Sequence, residues 1–252
     1  MTPQQTAAAI ARIRADESRL PERDRLFDDP YAARFDDPAG DVSEAFGALP
    51  FFREQIRLRT RYFDDAVRAA LAGGVRTLVL VGAGFDTRSL RMPEVRQTGT
   101  RVIEIDHADQ IEKKRGAYRE LAGDVPPHVR LLSADLMRED LVQTLPGAVL
   151  AATDGAPTPA LLVCEGLVGY LDRDAVARLF VALARSAVPG SRLTLNHTTR
   201  WWPRAELDAR LDAAGFRPLP SPSFAELHAR HLGGPLPEGS DEFGLVDAEL
   251  RG

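Results

Sequence analysis

Cysteine is almost missing from this chain: Cys164 is the single one in 252 residues. No intrachain disulfide and no cysteine-built metal cluster can therefore form. The stretch around Cys164 is continuously apolar, so its thiol reads as a packed structural group. No apolar run approaches the ~18 residues needed to span a bilayer, and no membrane partner is expected. The first seventeen residues mix charge into their apolar pattern and lack an apolar core followed by a cleavage site, which points to a cytoplasmic protein. An excess of basic residues is missing too. Lys and Arg number 32 against 37 Asp and Glu, a net charge of −5. With no basic tail or stripe, a nucleic-acid partner is not expected. The five histidines and the acidic residues show no metal-ligand spacing, so no metal is expected. Internal repeats and low-complexity tracts are absent as well.

What is present is the balance of a globular chain with a real core: 44% hydrophobic and 27% charged residues. The length fits one large α/β domain, alone or with a modest appendage. Residues 1–74 read as helical segments broken by proline. One amphipathic helix is expected near Thr2–Asp16. A turn at Leu26–Tyr31 then feeds a short helix, and a longer helix covers Phe52–Ala72, stopped by Gly73-Gly74.

From Val75 the pattern changes to apolar runs alternating with helical ones, the mark of a parallel sheet with covering helices. The runs are Thr77–Val81, Arg101–Ile105, Val129–Ser133, Ala160–Cys164 and Ser191–Leu195. Helices are expected at Asp109–Leu121, Arg138–Leu145 and Asp172–Ala187. Thr153–Pro159 reads as a loop. A helix near Arg204–Ala214, a strand at Phe216–Leu219, a helix at Phe224–Leu232 and a closing strand at Phe243–Glu249 complete the chain. Five parallel strands followed by a hairpin-like pair is the Rossmann-like layout of a class I methyltransferase. The expected fold is thus a seven-stranded, mostly parallel sheet in residues 75–252 with an N-terminal helical cap in residues 1–74.

The segment Leu78–Arg88 carries most of the chemistry. An apolar strand runs into Gly82-Ala83-Gly84 and then Phe85-Asp86-Thr87-Arg88. Glycine at 82 and 84 lets a ligand approach the main chain closely. A dinucleotide fingerprint wants a small residue where Thr87 stands, and Asp86 would repel a pyrophosphate. S-adenosylmethionine has no phosphate and carries a sulfonium and an ammonium, so an acidic neighbour suits it. An NAD(P)-dependent oxidoreductase remains the rival cofactor reading. Glu104 and Asp106, two apart at the end of the second strand, share a face at the sheet's carboxyl edge. One of them, Asp106 first, is expected to accept hydrogen bonds from ribose hydroxyls. Asp135-Leu136 after the third strand suits adenine, with a helix-capping role as the plainer alternative. Glu165 ends an apolar strand, where an unpaired carboxylate is costly, and should face the ligand crevice.

In order and spacing, these segments resemble the leucine carboxyl methyltransferase family. They are joined by Arg14–Ser18, Leu26–Ala32, Arg59–Asp65 and Glu165–Leu171. Within the family the resemblance is to the bacterial secondary-metabolism branch with the tetracenomycin polyketide O-methyltransferase. It implies an S-adenosylmethionine-dependent O-methyltransferase acting on a small molecule. It also implies that Arg59, or failing that Arg61, pairs with the cofactor's carboxylate. Gly82 and Gly84 would flank the methionine moiety, Asp106 the ribose and Asp135 with Leu136 the adenine, while Glu165 would sit at the methionine end. Tyr170 could reach the methyl-transfer zone. Ala108 and Gly169 depart from the family pattern, and Gly169 would widen the acceptor pocket.

A carboxylate acceptor is ionised at pH 7 and needs no general base, whereas a phenol or alcohol does. His197, after the fifth strand, is the one candidate base. The expected acceptor is a small-molecule carboxylate of a polyketide-like or other secondary metabolite. A phenol methylated with His197 as base and a non-catalytic S-adenosylmethionine-binding protein are the alternatives. The sequence leaves the oligomeric state open.

Overall fold

A computed structural model describes residues 3–35, 50–138 and 140–252. Residues 36–49 of the expected cap, Thr2 of its first helix and Glu139 of a later one lie outside these. In chain order the helices are α1 (Pro3–Ser18), α2 (Pro50–Ala72), α3 (Arg88–Arg91), α4 (Pro93–Gln97), α5 (Ala108–Ala122), α6 (Leu141–Ala152), α7 (Arg173–Arg185), α8 (Arg204–Ala213) and α9 (Phe224–His231). The strands are β1 (Thr77–Val81), β2 (Arg101–Asp106), β3 (Val129–Ser133), β4 (Ala160–Cys164), β5 (Arg192–Thr198), β6 (Phe216–Leu219) and β7 (Phe243–Leu250).

The strands form one seven-stranded sheet in the order β3-β2-β1-β4-β5-β7-β6. The first five are parallel, and β7 runs antiparallel between β5 and β6. This is the Rossmann-like methyltransferase architecture read from the sequence. Its physical origin is plain in β1 and β4, which are buried at every position. Successive side chains point to opposite faces, and both faces are covered by helices, so the residues are apolar except Thr77, whose hydroxyl pairs with that of Thr158 at 3.1 Å. Val79 and Val81 join Ile103, Ile105, Leu162 and Leu195 on one face, under Leu145, Val149, Leu179 and Leu183 from α6 and α7. Leu78 and Leu80 join Val102, Leu161 and Val163 on the other, where α2 buries Phe63, Val67 and Leu71. The front helix α2 is therefore built into the sheet's own core. It ends where Gly74 takes a φ of 91° and the Val75 N–H donates back to the Ala70 carbonyl at 3.0 Å.

Three elements differ from expectation. The segment between β1 and β2 holds α3 and α4, of four and five residues, too short for any helical period to show. The turn at Leu26–Tyr31 leads to a single 3-10 turn, Ala32–Phe35. Helix α6 runs Leu141–Ala152 with Pro146 inside it, rather than stopping at Leu145. Proline removes one backbone donor, but Leu141, Leu145 and Val149 bury on the sheet on both sides of it, and that packing carries the helix through.

Candidate cofactor and active site

Parallel strands leave their carboxyl ends open where the chain order reverses, which in this sheet is between β1 and β4. A cavity of about 340 Å³ lies there, the size of a small-molecule site. Its floor is the turn after β1. Gly82 and Gly84 hold φ values of 65° and 44°, in the left-handed region that only glycine enters freely. A Cβ on Gly82 would come within 2.9 Å of the Leu167 side chain, so this glycine also lets the β4 loop close against β1.

The β2 side of the cavity is set by Asp106. One carboxylate oxygen accepts the Gly84 N–H at 2.7 Å and the other accepts the His107 N–H at 2.7 Å. About two of its four lone-pair positions remain for a ligand's hydroxyls. His107, Asp109 and Gln110 line the cavity beside it.

The β4 side is set by charge. Glu165 accepts Arg59 Nε at 2.9 Å on one oxygen and Arg88 Nη1 at 2.7 Å on the other. Arg88 also donates to Asp86 at 2.6 Å and to Asp64 at 2.7 Å. Arg91 donates to both oxygens of Asp64 at 2.7 and 2.6 Å. Asp29 accepts Arg14 Nε at 2.8 Å and the Thr87 hydroxyl at 2.7 Å. Burial by itself would raise these carboxyls. In Asp86 the cations Arg88, Lys114 and Arg14 together outweigh it, in Glu165 Arg88 with Arg59 and Arg14, and in Asp64 Arg91 with Arg88, so all three stay below the usual carboxylate range. Such a chain of pairs is expensive to desolvate but fixes each side chain in one position.

Two arginines face the cavity from this network. Arg59 is 8% exposed, and Glu165 takes its Nε. Among the described residues its two terminal nitrogens make no hydrogen bond. Arg14, from α1, reaches the cavity and donates to the Phe85 carbonyl at 2.6 Å. Ala7 and Ile10 of the same helix close the cavity's roof. The Tyr170 ring, 48% exposed, stands at the cavity wall after β4.

Of the residues singled out in the sequence, the fold gathers Arg59, Gly82, Gly84, Asp86, Asp106, Glu165 and Tyr170 around one cavity. It does not bring in five others. Arg61 points away along α2, paired with Asp65 at 2.8 Å and the Leu26 carbonyl at 3.0 Å. Glu104 shares a face with Asp106 but sits two residues deeper in the sheet. It is fully buried against Lys114 at 2.9 Å, Tyr118 at 2.6 Å and Ser89 at 2.9 Å. Asp135 is exposed and accepts the Met137 N–H at 3.0 Å within a turn, whereas the N-cap of α6 is Asp140, so it caps no helix; Leu136 packs in the core with α6. His197 is 2% exposed. Its Nδ1 bonds the Trp202 carbonyl at 2.7 Å and its ring lies against Gly244, leaving no room for a Cβ there. Burial outweighs that carbonyl and lowers the imidazole's proton affinity. Gly169 lines a separate surface groove with Trp201, so it does not widen this cavity.

Sequence reasoning missed Arg14 and Arg88 as members of the site. Both sit in motifs that had been singled out, but nothing in one dimension says that a helix at residue 14 packs over a turn at residue 85. Among the described residues no cluster suits a metal ion, and no helix is long and apolar enough to cross a membrane.

The profile of the leucine carboxyl methyltransferase family matches residues 7–184. The chain belongs to this family. A relative from Parafrankia sp. is 36% identical over 199 residues, covering 75% of this chain and 61% of its own length. Another, from Frankia alni, is 34% identical over 220 residues, covering 85% of this chain and 75% of its own. Both carry the name "Putative S-adenosyl-L-methionine-dependent methyltransferase". The chain thus spans about 61–75% of the length of these two relatives. The fold matches the crystal structure of "a putative methyltransferase" from Thermobifida fusca with a TM-score of 0.64 at 15% identity, over 96% of this chain and 95% of that one. A DUF574 family protein from Streptomyces avermitilis matches with a TM-score of 0.54 at 18% identity, over 95% and 96%. At such identities the likeness bears on the fold alone. The family match begins at residue 7, within α1, and ends at residue 184, so the roof over the cavity falls inside the family segment together with strands β1 to β4.

Proposed function

We propose that the cavity binds S-adenosylmethionine and that the chain transfers its methyl group to an oxygen of a small molecule, a carboxylate first. The observation that carries this reading is the division of labour across β1. Asp106 offers free lone pairs on one side, and Arg59 offers two unbonded terminal nitrogens on the other. A ribose diol and an amino-acid carboxylate are complementary to those two groups. Asp86 and Glu165 add negative charge beside the turn, favourable to an ammonium or sulfonium and unfavourable to a pyrophosphate. The names of the family relatives point the same way, and both lines of support leave the nicotinamide oxidoreductase behind.

S-adenosylmethionine supplies an electrophilic methyl on a sulfonium when bound. The chain's own residues then have three tasks: to hold the cofactor's ends, to exclude water and to align the acceptor. Arg59, with Arg14, holds the carboxylate. Asp106 holds the ribose, and α1 with Ile10 and Ala7 keeps water out from above. Asp86 and Glu165 are not ready bases, since guanidinium partners hold them ionised and such paired anions are weak proton acceptors, and Asp106 is taken by the ribose. His197 is buried and bonded away from the cavity. His107 lies on the β2 side, across β1 from Tyr170. An acceptor that arrives already ionised suits this site, which favours a carboxylate over a phenol.

The test is calorimetric titration with S-adenosylmethionine and, separately, NAD, followed by methyl-transfer assays against a library of aromatic and polyketide acids. Binding of the first ligand and turnover of an acid are expected. Binding without any turnover would make the chain a non-catalytic S-adenosylmethionine protein, and NAD binding instead would overturn the reading. We place the reaction in the cytoplasm.

A further inference from the structure

Behind Arg59 the cavity has a neighbour that the cofactor reading does not use. A narrow slot of about 20 Å³ runs between α2, α9 and the start of β7, room for about one water-sized group. Its walls are apolar, with Phe224 and Leu227 from α9 and Phe243 and Leu245 from β7. Two amides interrupt them. Asn196 uses its Oδ1 to accept the Gly166 N–H at 2.7 Å, tying the slot to the loop after β4. Gln55 lies one helical turn before Arg59 on α2. It is 2% exposed, and its Oε1 has no hydrogen-bond partner among the described residues. A buried amide oxygen left unpaired costs about 1–3 kcal/mol, and such a group needs an account.

We infer that this slot is a specificity subsite of the acceptor, and that it receives a hydroxyl substituent which donates to the Gln55 carboxamide. The inference rests on the methyltransfer reading above. Arg59 lines both spaces, so a molecule held beside Glu165 and Gly166 can extend into the slot past the guanidinium. The small volume admits a substituent and excludes a ring. The volume is too small for a carboxylate, and an ammonium there would lose its hydration facing the Arg59 guanidinium with no carboxylate among the lining residues. A hydroxyl is also indifferent to which way the amide is turned, since it donates to Oε1 and accepts from Nε2. The acceptor class is thus a compact hydroxy acid. Its carboxylate stays in the main cavity, and its hydroxyl specifies it.

The experiment uses wild-type protein saturated with S-adenosylhomocysteine and titrated with benzoate, the three hydroxybenzoates, short alkanoates and their ω-hydroxy counterparts. The slot reading expects at least one hydroxy acid to bind about tenfold more tightly than its parent acid, the increment of one satisfied hydrogen bond. In Gln55→Leu, which keeps the slot filled and apolar, that preference should vanish while S-adenosylhomocysteine affinity stays within about twofold. Retained S-adenosylhomocysteine binding also shows that the variant is folded. No hydroxyl preference in the wild type, or a preference that survives in Gln55→Leu, overturns the subsite and leaves the cofactor reading standing. A crystal structure in which one water fills the slot with and without the acid does the same. Failure of the wild type to bind S-adenosylhomocysteine would instead strike the function proposed above, and the slot inference with it.

Discussion

The two sides of the cavity are built on opposite principles. On the β4 side, Arg59, Glu165, Arg88, Asp86, Asp64 and Arg91 form a continuous run of buried ion pairs. On the β2 side Asp106 is held by two backbone N–H groups, with the exposed Asp109 beside it, and beyond them lies the exposed turn at Asp135. The first side is rigid before any ligand arrives, because Glu165, Arg88 and Asp64 are each held by more than one partner. The second offers hydrogen-bond capacity without a fixed frame. A group that must be aligned to a reacting bond belongs on the rigid side, and a group that need only be gripped can sit on the other.

The sharpest way to break this contrast is at Asp64, which touches no part of the cavity. Asp64→Ala leaves Arg88 and Arg91 buried beside an empty space. It should destabilise the fold by about 3–5 kcal/mol, the range for breaking a buried pair, as measured by denaturant unfolding. A loss under about 1 kcal/mol would mean that the network is not rigid.

Next comes Arg59→Ala. It should weaken S-adenosylmethionine binding by about 1.5–3 kcal/mol, the range for a charged hydrogen bond, and weaken a decarboxylated analogue much less. Equal losses for the two ligands would detach Arg59 from the carboxylate. On the opposite side, Asp106→Ala should cost a similar amount of affinity, yet change the melting temperature far less than Asp64→Ala does. An unchanged dissociation constant would remove Asp106 from the ribose.

Acid sharpens the comparison further. Asp64, Asp86 and Glu165 all titrate below their ordinary range in the folded protein. Their contribution to stability is complete above the unfolded carboxylate values of about 4 and is lost as pH falls from there toward the lower folded values. Thermal unfolding should therefore be insensitive to these groups from pH 7 to about pH 5 and fall steeply below about pH 4. Asp64→Asn should blunt that acid limb. The smallest effects belong to Arg61→Ala and Asp135→Ala, each expected to change S-adenosylmethionine affinity by less than about twofold in calorimetry.

The same contrast explains what could be read from the sequence. Strands β1, β3, β4 and β6 were legible to the residue, the first and third because double-sided burial turns them into unbroken apolar runs. Glycines and carboxylates at the carboxyl ends of such runs were legible for the same reason, as Gly82, Gly84, Asp106 and Glu165 show. Depth was not. Period-two alternation puts Glu104 on the face of Asp106, but only the three-dimensional sheet shows that two residues of rise carry it below the cavity to Lys114. Asp135 follows β3, an edge of the sheet, and its turn opens to solvent. His197 looked accessible because it follows a carboxyl-edge strand, yet β7 pairs antiparallel there and sets Gly244 against its ring. Helix-borne groups were harder: Arg59 came from the family resemblance alone, and Arg14, though inside a resembling segment, was given no role because the Phe85 carbonyl it meets lies 71 residues away.

The central claim is that Arg59 and Asp106 grip opposite ends of one cofactor across β1, and a crystal soaked with S-adenosylhomocysteine tests it most directly. The account predicts density along the cavity with the amino-acid carboxylate on the Arg59 terminal nitrogens and the ribose hydroxyls on Asp106. Density with those ends reversed, or a ligand seated away from the Gly82–Gly84 turn, would contradict it.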